Sequence, residues 1–180
     1  MNLKNSRLLN LIYIAMFSAI ITICAQIQIP ATVPFTLQTF GVFVAAGLLG
    51  FKRGTLSVII YLLLGLIGVP VFSGFKGGAG VLFGTTGGYI IGFVLIAVIV
   101  GLFKDKFGVN LWALTISMTL GLLVCYIFGT VWFYIISNSN MQMSLFTILS
   151  LCVFPFIPFD VLKIIAAVVF VNRIEKIAKL

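Results

Sequence analysis

The chain contains no histidine, and its 180 residues include only three acids, Asp105, Asp160 and Glu175. Metal sites draw on clustered histidine, cysteine and carboxylate ligands, so three scattered acids cannot assemble a usual one. Acid–base and nucleophilic catalysis lose their ordinary parts for the same reason, and the sequence does not read as that of an enzyme. Cysteine is sparse too. Cys24, Cys125 and Cys152 are odd in number, far apart and set in apolar stretches, which makes them packing residues rather than a disulfide framework. A phosphate loop is also missing. Gly74, Gly77, Gly78, Gly80 and Gly84 are dense enough to suggest one, but the order G-x-x-x-x-G-K-[ST] is absent and Lys76 comes early in the stretch. Any step that consumes ATP must therefore be carried by another subunit.

Charged residues make up 8% of the chain, against about 25% in ordinary soluble domains. Hydrophobic residues make up 62%, and the mean hydropathy is +1.31. A water-soluble domain cannot hide that much apolar surface. The chain reads instead as an all-α integral membrane protein, a single domain over residues 1–180 whose solvent is lipid. The net charge of +8 does not indicate nucleic acid, because the basic residues form short clusters between long apolar runs rather than a stripe interleaved with aromatics. Lys4 and Arg7 precede the first run, Lys52 and Arg53 follow the second, Lys104 and Lys106 follow the fourth, and Arg173, Lys176 and Lys179 close the chain. The alternate connections, around 27–35, 72–83 and 137–144, carry only Lys76 between them. The positive-inside rule then puts both termini in the cytoplasm and these three connections outside.

Spans of about 20 apolar residues predict six transmembrane helices, near 8–27, 36–51, 54–70, 86–103, 111–136 and 159–178. The second and third are short for a full crossing, and the link from Phe51 to Gly54 implies a tight cytoplasmic hairpin. The apolar segment 145–158 contains Pro155 and Pro158, which would break a continuous helix, so it is expected to be a partly buried approach to the sixth span. Lys4 and Arg7 before an apolar run imitate a signal peptide, but the run continues to Ala25 and bulky Ile23 precedes Cys24. An uncut first helix is expected.

In so apolar a chain the remaining polar residues carry information, because a charge near mid-membrane costs about 2.5–3.5 kcal/mol on insertion scales. Asp160 and Lys163 stand at i and i+3 just after Pro158, on one face of a helix starting there, at its outer end. They read either as a mutual ion pair, with the lysine stretching toward headgroups, or as a ligand site in which lysine holds a carboxylate and aspartate accepts N–H groups. Thr36, Gln38 and Thr39, in Pro34-Phe35-Thr36-Leu37-Gln38-Thr39, open the second helix at the same end, as caps or as site residues. The stretch from Val69 to Gly88 is rich in glycine and aromatics, apolar yet not helical in pattern. Irregular backbone at membrane depth is tolerated where it is buried or lines a cavity, so a lid or wall over the bundle is expected. Tyr89 follows it, offering a ring to stack and a hydroxyl to bond, or serving as an interfacial anchor.

Three segments together resemble the BioY family, the biotin-specific substrate-binding (S) components of energy-coupling factor (ECF) transporters. They are Pro34-Phe35-Thr36-Leu37-Gln38-Thr39; Gly65-Leu66-Ile67-Gly68-Val69-Pro70-Val71-Phe72 leading to Gly84-Thr85-Thr86-Gly87-Gly88-Tyr89; and Pro155-Phe156-Ile157-Pro158-Phe159-Asp160-Val161-Leu162-Lys163. The likeness spans nearly the whole chain and departs at Thr85, where the family typically has proline. It implies a six-helix bundle that captures biotin from outside and works with a transmembrane coupling (T) subunit and two cytoplasmic ATPases, with no cofactor of its own. Biotin joins a cyclic urea and a sulfur ring to an aliphatic acid. Its site needs an apolar cavity, a few urea partners and a cation. On that reading Lys163 meets the carboxylate and Asp160 accepts a urea N–H, roles that could be exchanged, while Gln38, Thr39 and Tyr89 complete the wall. The family also implies a first helix with small residues spaced by four where the coupling subunit docks, a pattern that Ala15 and Ala19 fit; packing inside the bundle is the other use of such residues. Gly84, Gly88 and Gly92 share the spacing and are expected to pack internally.

Two other classes compete. A self-sufficient secondary carrier of a small organic acid would use Asp160 for proton coupling, but carriers often show two related halves, and no internal repeat is visible. A purely structural membrane protein would leave Asp160, Lys163 and the glycine-rich stretch without a purpose.

Overall fold

A backbone in lipid must satisfy its own N–H and C=O groups, so long apolar runs become helices. The computed structural model describes residues 3–29, 34–138 and 143–178; the tips of two expected outer connections and Lys179 lie outside them. Seven helices are described: α1 (Leu3–Gln26), α2 (Gln38–Leu66), α3 (Ala79–Leu82), α4 (Gly87–Phe107), α5 (Leu111–Asn138), α6 (Leu145–Cys152) and α7 (Ile157–Ala178). Between α1 and α2 a short antiparallel ribbon pairs β1 (Gln28–Ile29) with β2 (Phe35–Thr36), Gln28 opposite Thr36 and Ile29 opposite Phe35. Four helices are long and apolar enough to cross a membrane, or five if the bent pair α6–α7 counts as one span.

α2 is one of those four, yet it does not run straight. Gly50 interrupts it with φ 74° and ψ −171°, a region essentially open only to glycine. Beyond the break the chain returns along itself: Gln38 Nε2 donates to Tyr61 Oη at 2.6 Å, although 23 residues of uninterrupted helix would hold the two about 35 Å apart. A Cβ on Gly54 would lie 2.7 Å from Ala46 Cα, so the two arms touch backbone to backbone. The expected hairpin is therefore present, with its break one residue before Phe51. Its arms, 38–49 and 51–66, are as short as the sequence implied.

This folded-back α2 is the centre of the molecule. Every residue from 41 to 50 is buried, and α1, α4 and α7 pack around it. Phe43, Val58, Tyr61, Ile96, Val100 and Val171 are among the fully enclosed side chains. Leu11, Ile127 and Leu162 stand outward on α1, α5 and α7, as side chains facing acyl chains would. Gly88 and Gly92 pack internally as expected, against Trp132 and Cys125 of α5.

The hairpin end also gathers basic residues. Asp105, between Lys104 and Lys106 near the end of α4, accepts the Phe51 N–H at 3.1 Å, and Arg53 lies over the Tyr13 ring of α1 at 5.9 Å. The clusters at 52–53 and 104–106 thus share one end of the bundle.

Several boundaries differ from expectation: α1 begins at Leu3 rather than near 8, and α4 runs on to Phe107 rather than ending near 103. The second arm of α2 stops at Leu66 rather than near 70, because Gly68 at φ 101° turns the chain out of the helix. The stretch 145–158 was expected only as an approach to the last span, yet it includes helix α6. Ser144 caps α6 by accepting the Thr147 N–H at 3.2 Å. The prolines act after it: the chain breaks between Cys152 and Ile157 and bends by 46°, and Pro158 falls in the first turn of α7, where its missing N–H costs nothing.

Candidate ligand-binding site

At the end opposite the Gly50 turn lies a cavity of about 420 Å³, within the usual range for small-molecule sites. Gln38 and Thr39 of α2, Tyr89 of α4, and Asp160 and Lys163 of α7 all line it, which brings together the five residues predicted for the ligand site. Phe72, Ile90, Phe93 and Leu122 supply apolar wall. Cys125 and Cys152 are free and buried, as packing residues should be, and also border the cavity.

Asp160 organises the polar side. It is 3% exposed, and three helices aim donors at it: Thr39 Oγ1 of α2 to Oδ1 at 3.1 Å, Tyr126 Oη of α5 to Oδ2 at 2.5 Å, and Lys163 Nζ one turn along α7 to Oδ1 at 2.8 Å. An ionised carboxylate has about four lone-pair sites. Three are engaged and one remains, and Asp160 lines the cavity. Asp160 and Lys163 do form the ion pair considered from sequence, and the pair stands in the wall of a chamber.

The other predicted residues have definite places. Thr39 serves the carboxylate rather than a helix cap: Leu37 holds the N-cap position of α2, with no side-chain capping bond. Gln38 is buried, accepting from Thr36 Oγ1 at 3.0 Å through Oε1 while donating to Tyr61. The Tyr89 ring lies against Gly129, where a Cβ would come within 2.2 Å of it, and its hydroxyl pairs with Thr130 at 3.0 Å. Ala15 and Ala19 are elsewhere, both exposed on α1.

The segment after α2 forms the roof expected of it. Phe72 and Lys76 pair across a tight turn, Phe72 N donating to Lys76 O at 2.9 Å and Lys76 N to Phe72 O at 3.3 Å. Gln26 at the end of α1 grips this turn three ways, donating to Val71 O at 3.3 Å and Phe72 O at 3.1 Å, and accepting the Phe75 N–H at 3.0 Å. Trp132 Nε1 donates to Gly84 O at 3.0 Å and holds the far side of the roof. Sequence reasoning missed Tyr126 altogether. It treated Lys76 as a topological marker, whereas the lysine lines the cavity from the roof.

A mostly helical membrane bundle that holds a cavity at one end, with a buried acid paired to a lysine in its wall, is a small-molecule-binding membrane protein. The chain belongs to the BioY family, whose model matches residues 1–180. It is 42% identical over 168 residues to the biotin transporter BioY of Thermotoga maritima, covering 93% of this chain and 96% of that one. It is 38% identical over 163 residues to the probable biotin transporter BioY of Pyrococcus horikoshii, covering 90% and 93%. A crystal structure of the S-component for biotin from an ECF-type ABC transporter superposes with a TM-score of 0.84 at 36% identity, covering 98% of this chain and 95% of that one. The apolar helices and the family together make this a multi-pass protein of the cell membrane.

Proposed function

We propose that this chain is the biotin-binding S component of an ECF transporter, taking biotin from outside the cell and handing it inward with energy from ATPase partners. It acts as one unit over residues 1–180, crossing the membrane six times with both termini in the cytoplasm. The observation that carries the reading is Asp160, a buried carboxylate held by donors from three helices with acceptor capacity left over in a chamber of about 420 Å³. Biotin's cyclic urea offers N–H donors for that capacity, and its thioether ring suits a wall of phenylalanine, leucine and thiol. Lys163, Thr39, Gln38 and Tyr89 complete the site. The six crossings are supported by the α2 hairpin and the sidedness by the basic residues gathered at its turn.

Titration of the purified protein in detergent tests the site. Wild type is expected to bind biotin without partners or a proton gradient. Asp160→Ala and Lys163→Ala should each weaken binding by about a hundredfold, as removing one member of a buried, hydrogen-bonded pair does. Unchanged affinity in both variants would sink the assignment, and uptake into liposomes driven by a proton gradient alone would favour the carrier instead.

Assembly places a T component and two ATPases on the cytoplasmic and lipid-facing surfaces. Ala15 and Ala19 stand exposed on α1, consistent with close approach by another helix. Replacing both by tryptophan should abolish co-purification with the coupling subunit and leave biotin affinity intact; full assembly of that double variant would remove α1 from the interface.

A further inference from the structure

Three charged side chains line the chamber among the described residues: Asp160 and Lys163, which pair at 2.8 Å, and Lys76, which has no carboxylate partner among them. The chamber therefore carries one uncompensated positive charge, and it sits on the roof. Resting on the biotin reading above, we propose that Lys76 receives the ligand's carboxylate and is the residue by which the site tells the acid from its neutral analogues.

Lys163 is poorly placed for that task. A ligand carboxylate on its ammonium would come close to the Asp160 carboxylate, and like charges at such range repel. Drawing Lys163 away would instead leave Asp160, 3% exposed, without its cation. Lys76 meets neither objection. Its backbone is held by the bridge to Phe72, and the turn that carries it is gripped by Gln26. Its stem is long enough to search for an anion from a fixed base. A ligand with its urea at Asp160 and its acid at Lys76 lies between wall and roof. Phe72 and Phe93, which line the same chamber, offer apolar wall to its middle.

The test is calorimetric titration of the full chain in detergent with biotin and with its neutral primary amide. Wild type should prefer the acid, and the preference should shrink as salt rises. Lys76 is exposed on the roof, so Lys76→Met is expected to weaken biotin about fivefold while leaving the amide unchanged, the loss of a charge-assisted bond at a solvent-exposed position. Unchanged amide affinity also shows that the variant is folded. Lys76→Arg should restore most of the preference, and Lys163→Met should weaken both ligands alike. A preference that survives in Lys76→Met overturns the proposal, and if it vanishes in Lys163→Met the carboxylate belongs to Lys163. Wild type that binds neither compound removes the biotin reading itself, and this inference with it.

Discussion

The two ends of the bundle use glycine for opposite purposes. At the basic end Gly50 lets α2 reverse within one residue, and Asp105 of the neighbouring helix accepts the next backbone N–H, so the turn is short and that N–H is satisfied. At the cavity end the glycines from 68 to 88 spread the chain into a roof with a single four-residue turn of helix, held by side chains reaching from other helices, chiefly Gln26 and Trp132. One end ties its backbone to itself and a single carboxylate. The other leaves its backbone to be tied down by side chains of helices that flank the chamber. The first arrangement gives rigidity; the second gives a surface that can be reshaped locally without unfolding the helices behind it.

The largest effect that would sharpen this contrast is expected at Gly50. A Cβ there would lie 2.1 Å from Asp105 Oδ1, and the backbone region is one that side-chain-bearing residues avoid. Asp105 is exposed and can swing aside, so the backbone strain decides the outcome, at about 1–3 kcal/mol. Gly50→Ala should lower the melting temperature in detergent clearly. Adding Asp105→Ala should not restore it. Biotin affinity measured well below the melting temperature should stay within about twofold, since the turn lies at the opposite end of the hairpin. If Gly50→Ala destroys binding without lowering the melting temperature, the ends are coupled and the contrast is wrong.

Much of the cavity end was legible because polar residues are so rare here. Asp160, Lys163, Thr39 and Gln38 stand out in apolar surroundings, and the cost of burying them demands partners. The hairpin was legible from Lys52 and Arg53 between two short apolar runs, but its pivot was not: glycine is common in this chain, and a positive φ is a property of the folded backbone. α6 was obscured because Pro155 and Pro158 dominate the reading of 145–158, while the weaker signal, Ser144 ahead of Thr147, marks the actual helix start. Lys76 fitted a topological role so well that its place in the cavity went unsought. Tyr126 carried no signal at all. It is one of five tyrosines in a chain rich in aromatics, and its part depends on α5 meeting α7 at the height of Asp160, which no local pattern encodes.

Tyr126 therefore offers the finest test of how the cavity end is held together. Its hydroxyl donates to Asp160 Oδ2 while Thr39 and Lys163 hold Oδ1, so the two oxygens are anchored from different helices. Tyr126→Phe keeps the ring and removes one anchor. A hydrogen bond to a charged group contributes about 1.5–3 kcal/mol, but Thr39 and Lys163 remain and the freed oxygen can turn toward water or ligand. The expected result is intermediate: biotin affinity lower by about tenfold, against about a hundredfold for Asp160→Ala, with a smaller fall in melting temperature than Gly50→Ala produces. Thr39→Val should act on the other oxygen. If each helix positions the carboxylate separately, the double variant loses the product of the two factors; if they act as one network, it loses no more than the worse of them. Wild-type affinity in Tyr126→Phe would mean that α5 merely walls the chamber, leaving α2 and α7 to define the site alone.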